Sequence, residues 1–485
     1  MSKNFSLDVK NAIFILIAIG VFLFIGFFPF SEGIRTVGEA TLTQQGQIAL
    51  GILLFALVLW ISEALPFHIT GLFGIVLLAL FNVDTFKNIV SVGFGNHVVA
   101  FFIGVLILSA FITKTGLGKR IAMFILSLTG NSTRLIILGF LATGTLLSMW
   151  VTDMAVAAML MPLARAICQE EDIKPLKSNF GKALLIASAW GPVIGGIGTP
   201  AGCSPNPIAI GFLQEMAGIE VSFLQWMIYG VPAALLLLPF AWILLIIFFK
   251  PEMDKLSKSK DELKNEFKEL PPLSREEIVT SIVFVLTVTL WLASPVLSNL
   301  LGISIPVSMP VLLTAALFFF PGMSKLKWKE IEPEISWSGI ILVLSGISLG
   351  MMLYQTGGAQ WIALLTLGGV SSLNPFLMIF TIVLIVSFLK VALSSNAVTG
   401  TIIVPIMIEL AQATGIPPLT IVLPAALTSS LAFILVTSTP TNVIPYSAGY
   451  FSIGDMAKVG VVMTFVSSLI VALVMLAVGT MTGLY

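Results

Sequence analysis

The sequence predicts an all-α, polytopic membrane protein built as an inverted repeat, and three observations carry that expectation. Of 485 residues, 57% are hydrophobic and 10% charged, with a mean hydropathy of +1.06. Soluble domains carry roughly 25% charged residues, so this chain lacks the charge to solvate a globular surface of its size. Apolar stretches recur at 12–30, 46–66, 68–82, 96–113, 183–201, 226–249, 278–297, 304–321, 337–354, 416–436 and 457–483. Their lengths suit helices rather than the ~10-residue alternating strands of an outer-membrane barrel. The third observation is that the second half of the chain echoes the first.

The composition also excludes classes. A soluble enzyme, a disordered chain and a disulfide scaffold are all incompatible with it. Twenty-four basic and 24 acidic side chains cancel, so no global field recruits nucleic acid. Cys168 and Cys203 sit in or beside apolar segments and predict no disulfide. His68 and His97 are the only histidines, too few for a histidine-built metal site. A membrane-embedded enzyme would need a constellation such as His-Glu-x-x-His, which the sequence lacks.

Taken in order, Lys3 and Lys10 precede an apolar run from Ala12 to Phe30. That run is long enough to span a bilayer and too long for a signal core, so it is expected to be a retained first span. The character changes between Lys250 and Arg275, which hold seven of the 24 Lys and Arg residues. This segment reads as a solvated linker on the cytoplasmic side. On either side of it the repeat appears. Thr115-Gly116 is matched by Thr356-Gly357, and Asp153, nine residues before Pro162, by Asn396, nine before Pro405. Asn206-Pro207-Ile208 is matched by Asn442-Val443-Ile444, and Ser222, eight before Gly230, by Ser452, eight before Gly460. The offsets are 241, 243, 236 and 230 residues, in one order. Such duplication characterises secondary transporters, whose substrate site lies at the repeat interface.

Four places interrupt the apolar runs. From 134 to 168 the chain is apolar except at Ser148-Met149-Trp150-Val151-Thr152-Asp153, and from 375 to 413 except around Lys390 and Ser394-Ser395-Asn396. Each reads as a re-entrant helical hairpin with a polar tip. The run Gly195 to Asn206 cannot be a continuous helix, given its glycines and prolines, and Thr437 to Asn442 is its counterpart. Irregular backbone at membrane depth needs burial in protein or a wet cavity. Free carbonyls suit a hard cation and helix N-termini suit an anion, so the breaks point to an anion carrier coupled to a cation.

These residues resemble the divalent anion/sodium symporter family, carriers of dicarboxylates, citrate and sulfate that include the INDY proteins. The likeness rests on Trp60-Ile61-Ser62-Glu63-Ala64-Leu65-Pro66, Ser148-Met149-Trp150, Ser204-Pro205-Asn206, Ser395-Asn396 and Thr439-Pro440-Thr441-Asn442, and spans nearly the whole chain. The resemblance implies a homodimer in a bilayer, each protomer a scaffold with a transport domain that moves as an elevator. It implies a multi-pass protein of the plasma (inner) membrane, with no cofactor beyond Na+ as coupling ion. Substrate contacts are implied at Thr152, Asp153, Cys203, Ser395, Asn396, Thr439 and Pro440. Sodium would sit among Ser148, Thr152, Asp153 and Gly202 at one site, and Ser395, Asn396 and Ser438 at the other.

The family's tips read Ser-Asn-Thr, and this chain departs from that pattern at both: Thr152-Asp153-Met154 and Ser395-Asn396-Ala397, with Cys203 where a serine is expected. Asp153 reads either as a helix N-cap or as a cation ligand or proton acceptor. Lys390 reads either as the partner of a nearby acid, Glu409 being the local candidate, or as a tethered cation that replaces a transported one. Glu63 reads as an end-of-helix polar contact.

The expected architecture has about 11 spans plus hairpins at 134–168 and 375–413, N-terminus inside and C-terminus outside. Residues 1–115 and 251–355 would form the scaffold, with the linker, and 116–250 and 356–485 the transport domain. Segments near 119–130 and 358–368 would be the arms joining them. The expected function is secondary active transport of a small di- or tricarboxylate (succinate, malate, 2-oxoglutarate or citrate), by Na+ symport or anion exchange. The alternatives are a cation/proton antiporter or a carrier of sulfate.

Overall fold

The computed structural model describes residues 2–257 and 270–484, with side chains from Val9 onward. The middle of the charged linker, 258–269, lies outside the described residues. The first half runs through α1 (Ser2–Phe27), α2 (Glu32–Arg35), α3 (Gln44–Ser62), α4 (Phe67–Leu80), α5 (Phe86–Phe94) and α6 (His97–Lys114). It continues through α7 (Leu117–Ser127), α8 (Thr133–Ser148), α9 (Asp153–Glu170), α10 (Asn179–Gly196), α11 (Pro205–Ala217) and α12 (Phe223–Phe248). The second half holds α13 (Arg275–Leu301), α14 (Ser308–Leu317), α15 (Trp328–Ile331), α16 (Trp337–Gln355), α17 (Gly358–Leu367) and α18 (Pro375–Ala392). It ends with α19 (Asn396–Thr414), α20 (Pro418–Thr428), α21 (Pro440–Tyr446) and α22 (Ile453–Thr482). A two-stranded antiparallel ribbon pairs Thr36 with Thr41.

Among the described residues, nine helices are long and apolar enough to cross a membrane by length and composition. Two of them are the arms of the second hairpin, α18 and α19, which leaves seven. Two short apolar helices, α4 and α14, and two interrupted helices, α10–α11 and α20–α21, bring the segments to the expected eleven. Burial separates lipid-facing from interior helices. The apolar window of α1 is 17% buried and that of α19 is 83% buried. Large side chains such as Leu16, Ile247 and Leu300 are exposed, as befits a surface solvated by lipid tails.

Matched positions of the sequence take matching local structure in the two halves. Thr115 and Thr356 each end a long helix and donate their hydroxyls to the carbonyl four residues back, Phe111 at 2.8 Å and Met352 at 2.7 Å. The next residues, Gly116 and Gly357, are left-handed at φ 83° and 77°, which glycine adopts without strain. Ser222 and Ser452 both cap the helix that follows, accepting from Gln225 and Asp455. Packing is reciprocal as well. Helix α4 packs on α16 while α14 packs on α6; α9 packs on α21 while α11 packs on α19. Reciprocity of this kind is what a two-fold relation between halves produces.

Helices α7 and α17 lie in the two segments where connecting arms were expected. Arg120 on α7 pairs with Glu277 at the start of α13, Nε to Oε1 2.6 Å, and donates to the Pro271 carbonyl at 2.9 Å. Lys182 on α10 pairs with Asp455 on α22 at 3.0 Å. The first contact ties α7 to the start of α13; the second ties the two halves of the chain together.

Candidate functional site

Two tips and two breaks surround one cleft. At the first tip α8 ends at Ser148, and α9 begins at Asp153 after the N-cap Thr152. The Asp153 amide donates to the Gly202 carbonyl of the first break at 3.1 Å. The Asp153 carboxylate accepts the Met154 amide at 2.8 Å, so the side chain covers its own helix N-terminus. At the second tip α18 ends at Ala392, and α19 begins at Asn396 with Ser395 as N-cap. The tips meet. Asn396 donates its side-chain amide to Asp153 Oδ2 at 3.1 Å, and the Thr441 hydroxyl lies along the same carboxylate.

Each break is held open by one asparagine. Asn206 donates to the carbonyls ten and seven residues back, Gly196 at 2.8 Å and Thr199 at 2.7 Å. Asn442 repeats this with Ala432 at 2.8 Å and Leu435 at 3.3 Å. A helix that loses its ladder orphans carbonyls, and a buried amide side chain satisfies two of them at once. Thr199 adds a further tie, donating its hydroxyl to the Met149 carbonyl at the first tip. Long helices run against both breaks at glycine: a Cβ at Gly230 would stand 2.4 Å from the Ile197 oxygen, and one at Gly460 2.1 Å from the Phe433 oxygen.

All seven residues predicted to contact substrate line one cleft of about 170 Å³. Thr152 and Asp153 come from the first tip, Cys203 from the first break, Ser395 and Asn396 from the second tip, and Thr439 and Pro440 from the second break. The cleft suits a small organic acid better than a drug-sized molecule. Cys203 is buried, with its thiol 2.7 Å from the Ser430 hydroxyl and 3.2 Å from the Gly196 carbonyl. The far wall escaped sequence reasoning. Phe102 and Leu106 of α6, and Ser336, Gly339 and Leu342 at the head of α16, close the cleft from the predicted scaffold. Nothing in those apolar segments distinguishes a cleft-facing residue from one packed in the core. Thr441 was also passed over as a side chain, although it lies inside the second break.

Of the predicted sodium residues, those of the first half converge. Gly202 packs so tightly that a Cβ there would lie 2.5 Å from the Gly196 oxygen and 2.6 Å from the Ser148 oxygen. The Ser148 hydroxyl is buried and has no partner among the described residues. Carbonyls crowded with an unpartnered hydroxyl fit the oxygen-only chemistry of a hard cation. In the second half the Ser438 carbonyl is occupied: Lys390 Nζ donates to it at 2.6 Å and to Leu393 O at 3.3 Å. Glu409, the acid expected to pair with Lys390, forms no ion pair with it. Lys390 reaches one carbonyl of the tip, Leu393, and one of the break, Ser438, in place of the Glu409 carboxylate. Glu63 is exposed, at φ 53°, and its carboxylate bonds to no described residue. It closes α3 through its backbone and not through the polar contact expected of it.

A family model described as the sodium:sulfate symporter transmembrane region matches residues 9–484. The sodium-dependent dicarboxylate transporter SdcS of Staphylococcus saprophyticus subsp. saprophyticus is 33% identical over 451 residues, covering 89% of this chain and 86% of its own. SdcS of Staphylococcus aureus (strain USA300) is 32% identical over 448 residues, covering 89% and 85%. Among solved structures, the YdaH transporter of Alcanivorax borkumensis superposes with a TM-score of 0.54 at 14% identity, covering 98% of both chains. MtrF of Neisseria gonorrhoeae superposes with a TM-score of 0.53 at 15% identity, covering 97% of this chain and 94% of its own. At those identities the likeness concerns the fold. With a family model spanning almost every residue around this cleft, the chain belongs to the sodium:sulfate symporter family of membrane transporters.

Proposed function

We propose that the protein is a multi-pass plasma-membrane secondary transporter that couples uptake of a small di- or tricarboxylate to Na+. The observation that carries this reading is one cleft lined by both tips and both breaks, with the buried, unpartnered Ser148 hydroxyl at the end of the first tip's leading helix. The relatives named above are called sodium-dependent dicarboxylate transporters, which favours symport over anion exchange.

The two tips divide the work. At the first, the Asp153 and Met154 amides are spent on Gly202 O and on the Asp153 side chain. At the second, the amides of Asn396 and Ala397 have no partner among the described residues. The substrate carboxylate is therefore received at the head of α19, by those amides with Asn396 and Ser395. Thr439 and Cys203 face the remainder of the molecule. Sodium sits in the first half, among Ser148, Thr152, Asp153 and Gly202, where it offsets the Asp153 charge. Ser395, Asn396 and Ser438 form the corresponding position of the second half.

The cleft lies between residues of the proposed transport domain and α6 and α16 of the proposed scaffold, the arrangement an elevator requires. Alternating access would carry both hairpins past those two helices as one body, with a homodimeric scaffold held still. Uptake of labelled succinate, malate, citrate and sulfate into proteoliposomes tests the reading. Accumulation of a dicarboxylate driven by an inward Na+ gradient is the expected result. Uptake that ignores Na+ and requires internal anion would replace symport with exchange, and selective sulfate uptake would overturn the substrate class.

A further inference from the structure

The hydrogen bonds around Asp153 run in one direction. The Thr439 hydroxyl donates to the Thr441 hydroxyl at 3.3 Å, and the Thr441 hydroxyl in turn bonds to the Asp153 carboxylate. A carboxylate only accepts, so both threonine protons are directed toward Asp153. The same acid orients Asn396. Its amide nitrogen faces Asp153 Oδ2 at 3.1 Å, and its Oδ1 is buried with no partner among the described residues. Asp153, Asn396 and Thr439 line the substrate cleft and are 8%, 7% and 1% exposed. One set of donors is open, the amides of Asn396 and Ala397 at the head of α19. Next to it stand three acceptors: the Asp153 carboxylate, Asn396 Oδ1 and the Thr439 oxygen, whose own proton is spent on Thr441.

We infer that the substrate carries a hydrogen-bond donor, a hydroxyl, beside one of its carboxylates, and that Asp153 selects for it. The inference deepens the carboxylate-transport reading of this cleft and rests on it. A carboxylate received at the head of α19 sets its neighbouring carbon beside Asn396, and so beside the acid that Asn396 contacts. A hydroxyl on that carbon gives its proton to Asp153 or to Asn396 Oδ1, completing an acceptor that is costly to leave bare. An acid without the hydroxyl leaves those oxygens unpaired, and such a site rejects it for that reason. A second ionised carboxylate finds no helix-terminal amide at the first tip. The Asp153 amide is spent on Gly202 O and the Met154 amide on the Asp153 side chain. Asp153 thus fills the place at which the first tip could have received a carboxylate of its own. A sodium ion beside Asp153 would lower the repulsion without supplying a donor, so the preference holds with or without it.

Competition for uptake of labelled succinate or malate into proteoliposomes tests this. The competitors are unlabelled succinate, malate, which adds one hydroxyl, and aspartate, which adds one ammonium. The pH is held well above the carboxylic-acid range, so that every carboxylate is ionised. Malate is expected to compete roughly 10- to 100-fold better than succinate, the range of a hydrogen bond to a charged group. Asp153→Asn keeps the shape, puts an amide donor in place of one carboxylate oxygen, and should bring the two acids close to equality. Thr441→Val takes away the acceptor of the Thr439 proton and should narrow the ratio in part. The ratio is the readout because a packing defect lowers uptake of both acids alike. Better competition by aspartate than by malate, lost in Asp153→Asn, would support the donor at Asp153 with an ammonium as its source. A malate preference that survives intact in Asp153→Asn overturns the inference. Should the variants not fold, wild type decides alone: malate or aspartate ahead of succinate supports it, and both equal to or behind succinate overturn it. Uptake of neither succinate nor malate would end the carboxylate reading itself and the inference with it, so the two failures are distinguishable.

Discussion

The two hairpin tips share a backbone design and differ in how each is fastened to its break. The first is fastened by a main-chain donor, the Asp153 amide on Gly202 O. The second is fastened by a side-chain donor, the Lys390 ammonium on Ser438 O. The first tip carries an added negative charge and has used its helix-terminal amides; the second carries an added positive charge and keeps its amides open. The two added charges cancel within one transport unit. The two halves thus share one local design and differ in charge and in which helix-terminal amides are left open, the difference on which the proposed division between a cation site and an anion site rests.

The asparagine staples offer the strongest test of how far the halves remain equivalent. Asn206→Ala and Asn442→Ala each remove two buried hydrogen bonds to the carbonyls of a break, at about 0.5–1.5 kcal/mol apiece. The first should be worse, because Asn206 Oδ1 also accepts from Cys203 Sγ at 3.2 Å, whereas Asn442 Oδ1 has no partner among the described residues. Thermal melts in detergent should show the larger loss for Asn206→Ala. Equal losses would mean that the thiol contact adds nothing to the first break.

Next in size is the contact between the tips. Asn396→Ala removes the donor to Asp153 Oδ2 and, on the proposed function, a substrate contact with it. Hydrogen bonds to charged groups are worth about 1.5–3 kcal/mol, or roughly 10- to 100-fold in affinity. The KM for succinate should rise by that factor, and Asn396→Asp should not rescue it, since two carboxylates would then face each other. Unchanged transport in Asn396→Ala would move the substrate out of this cleft.

The repeat was legible in the sequence because its markers do backbone work. Thr115 and Thr356, Gly116 and Gly357, Asn206 and Asn442, and Ser222 and Ser452 cap or kink the chain, and such roles fix residue type. The four breaks were legible for the same reason. What stayed hidden is what apolar helices hide. In a membrane protein both the lipid face and the core face are hydrophobic, so periodicity did not single out Phe102, Leu106 or Leu342. The partner of Lys390 was misassigned to Glu409 because a sequence displays acids and does not display carbonyls. The eleven segments were countable only by treating α10–α11 and α20–α21 as broken single crossings.

Glycine contacts come next. Gly230→Ala and Gly460→Ala push a methyl group against break carbonyls, 2.4 Å from Ile197 O and 2.1 Å from Phe433 O. Overpacking of this kind costs about 1–3 kcal/mol. The closer contact should make Gly460→Ala the more damaging variant in thermal melts and in transport rate. The reverse order would show that the first break is the less able to yield.

The smallest effect should come from making the first break resemble the second. Cys203 aligns with Thr439 at the 236-residue offset, so Cys203→Ser restores a hydroxyl where the other half has one. The thiol is a weak donor held among the Gly196 carbonyl, Asn206 Oδ1 and the Ser430 hydroxyl. A hydroxyl keeps one good donor for these acceptors, while its shorter bond to carbon lengthens the contact to Ser430. The gain and loss should nearly cancel, leaving stability within about 1 kcal/mol and succinate KM within roughly fivefold. A loss beyond tenfold in KM, with the melt unchanged, would assign the thiol a direct part in shaping the substrate cleft. It would also mark a third position at which the two halves have been driven apart.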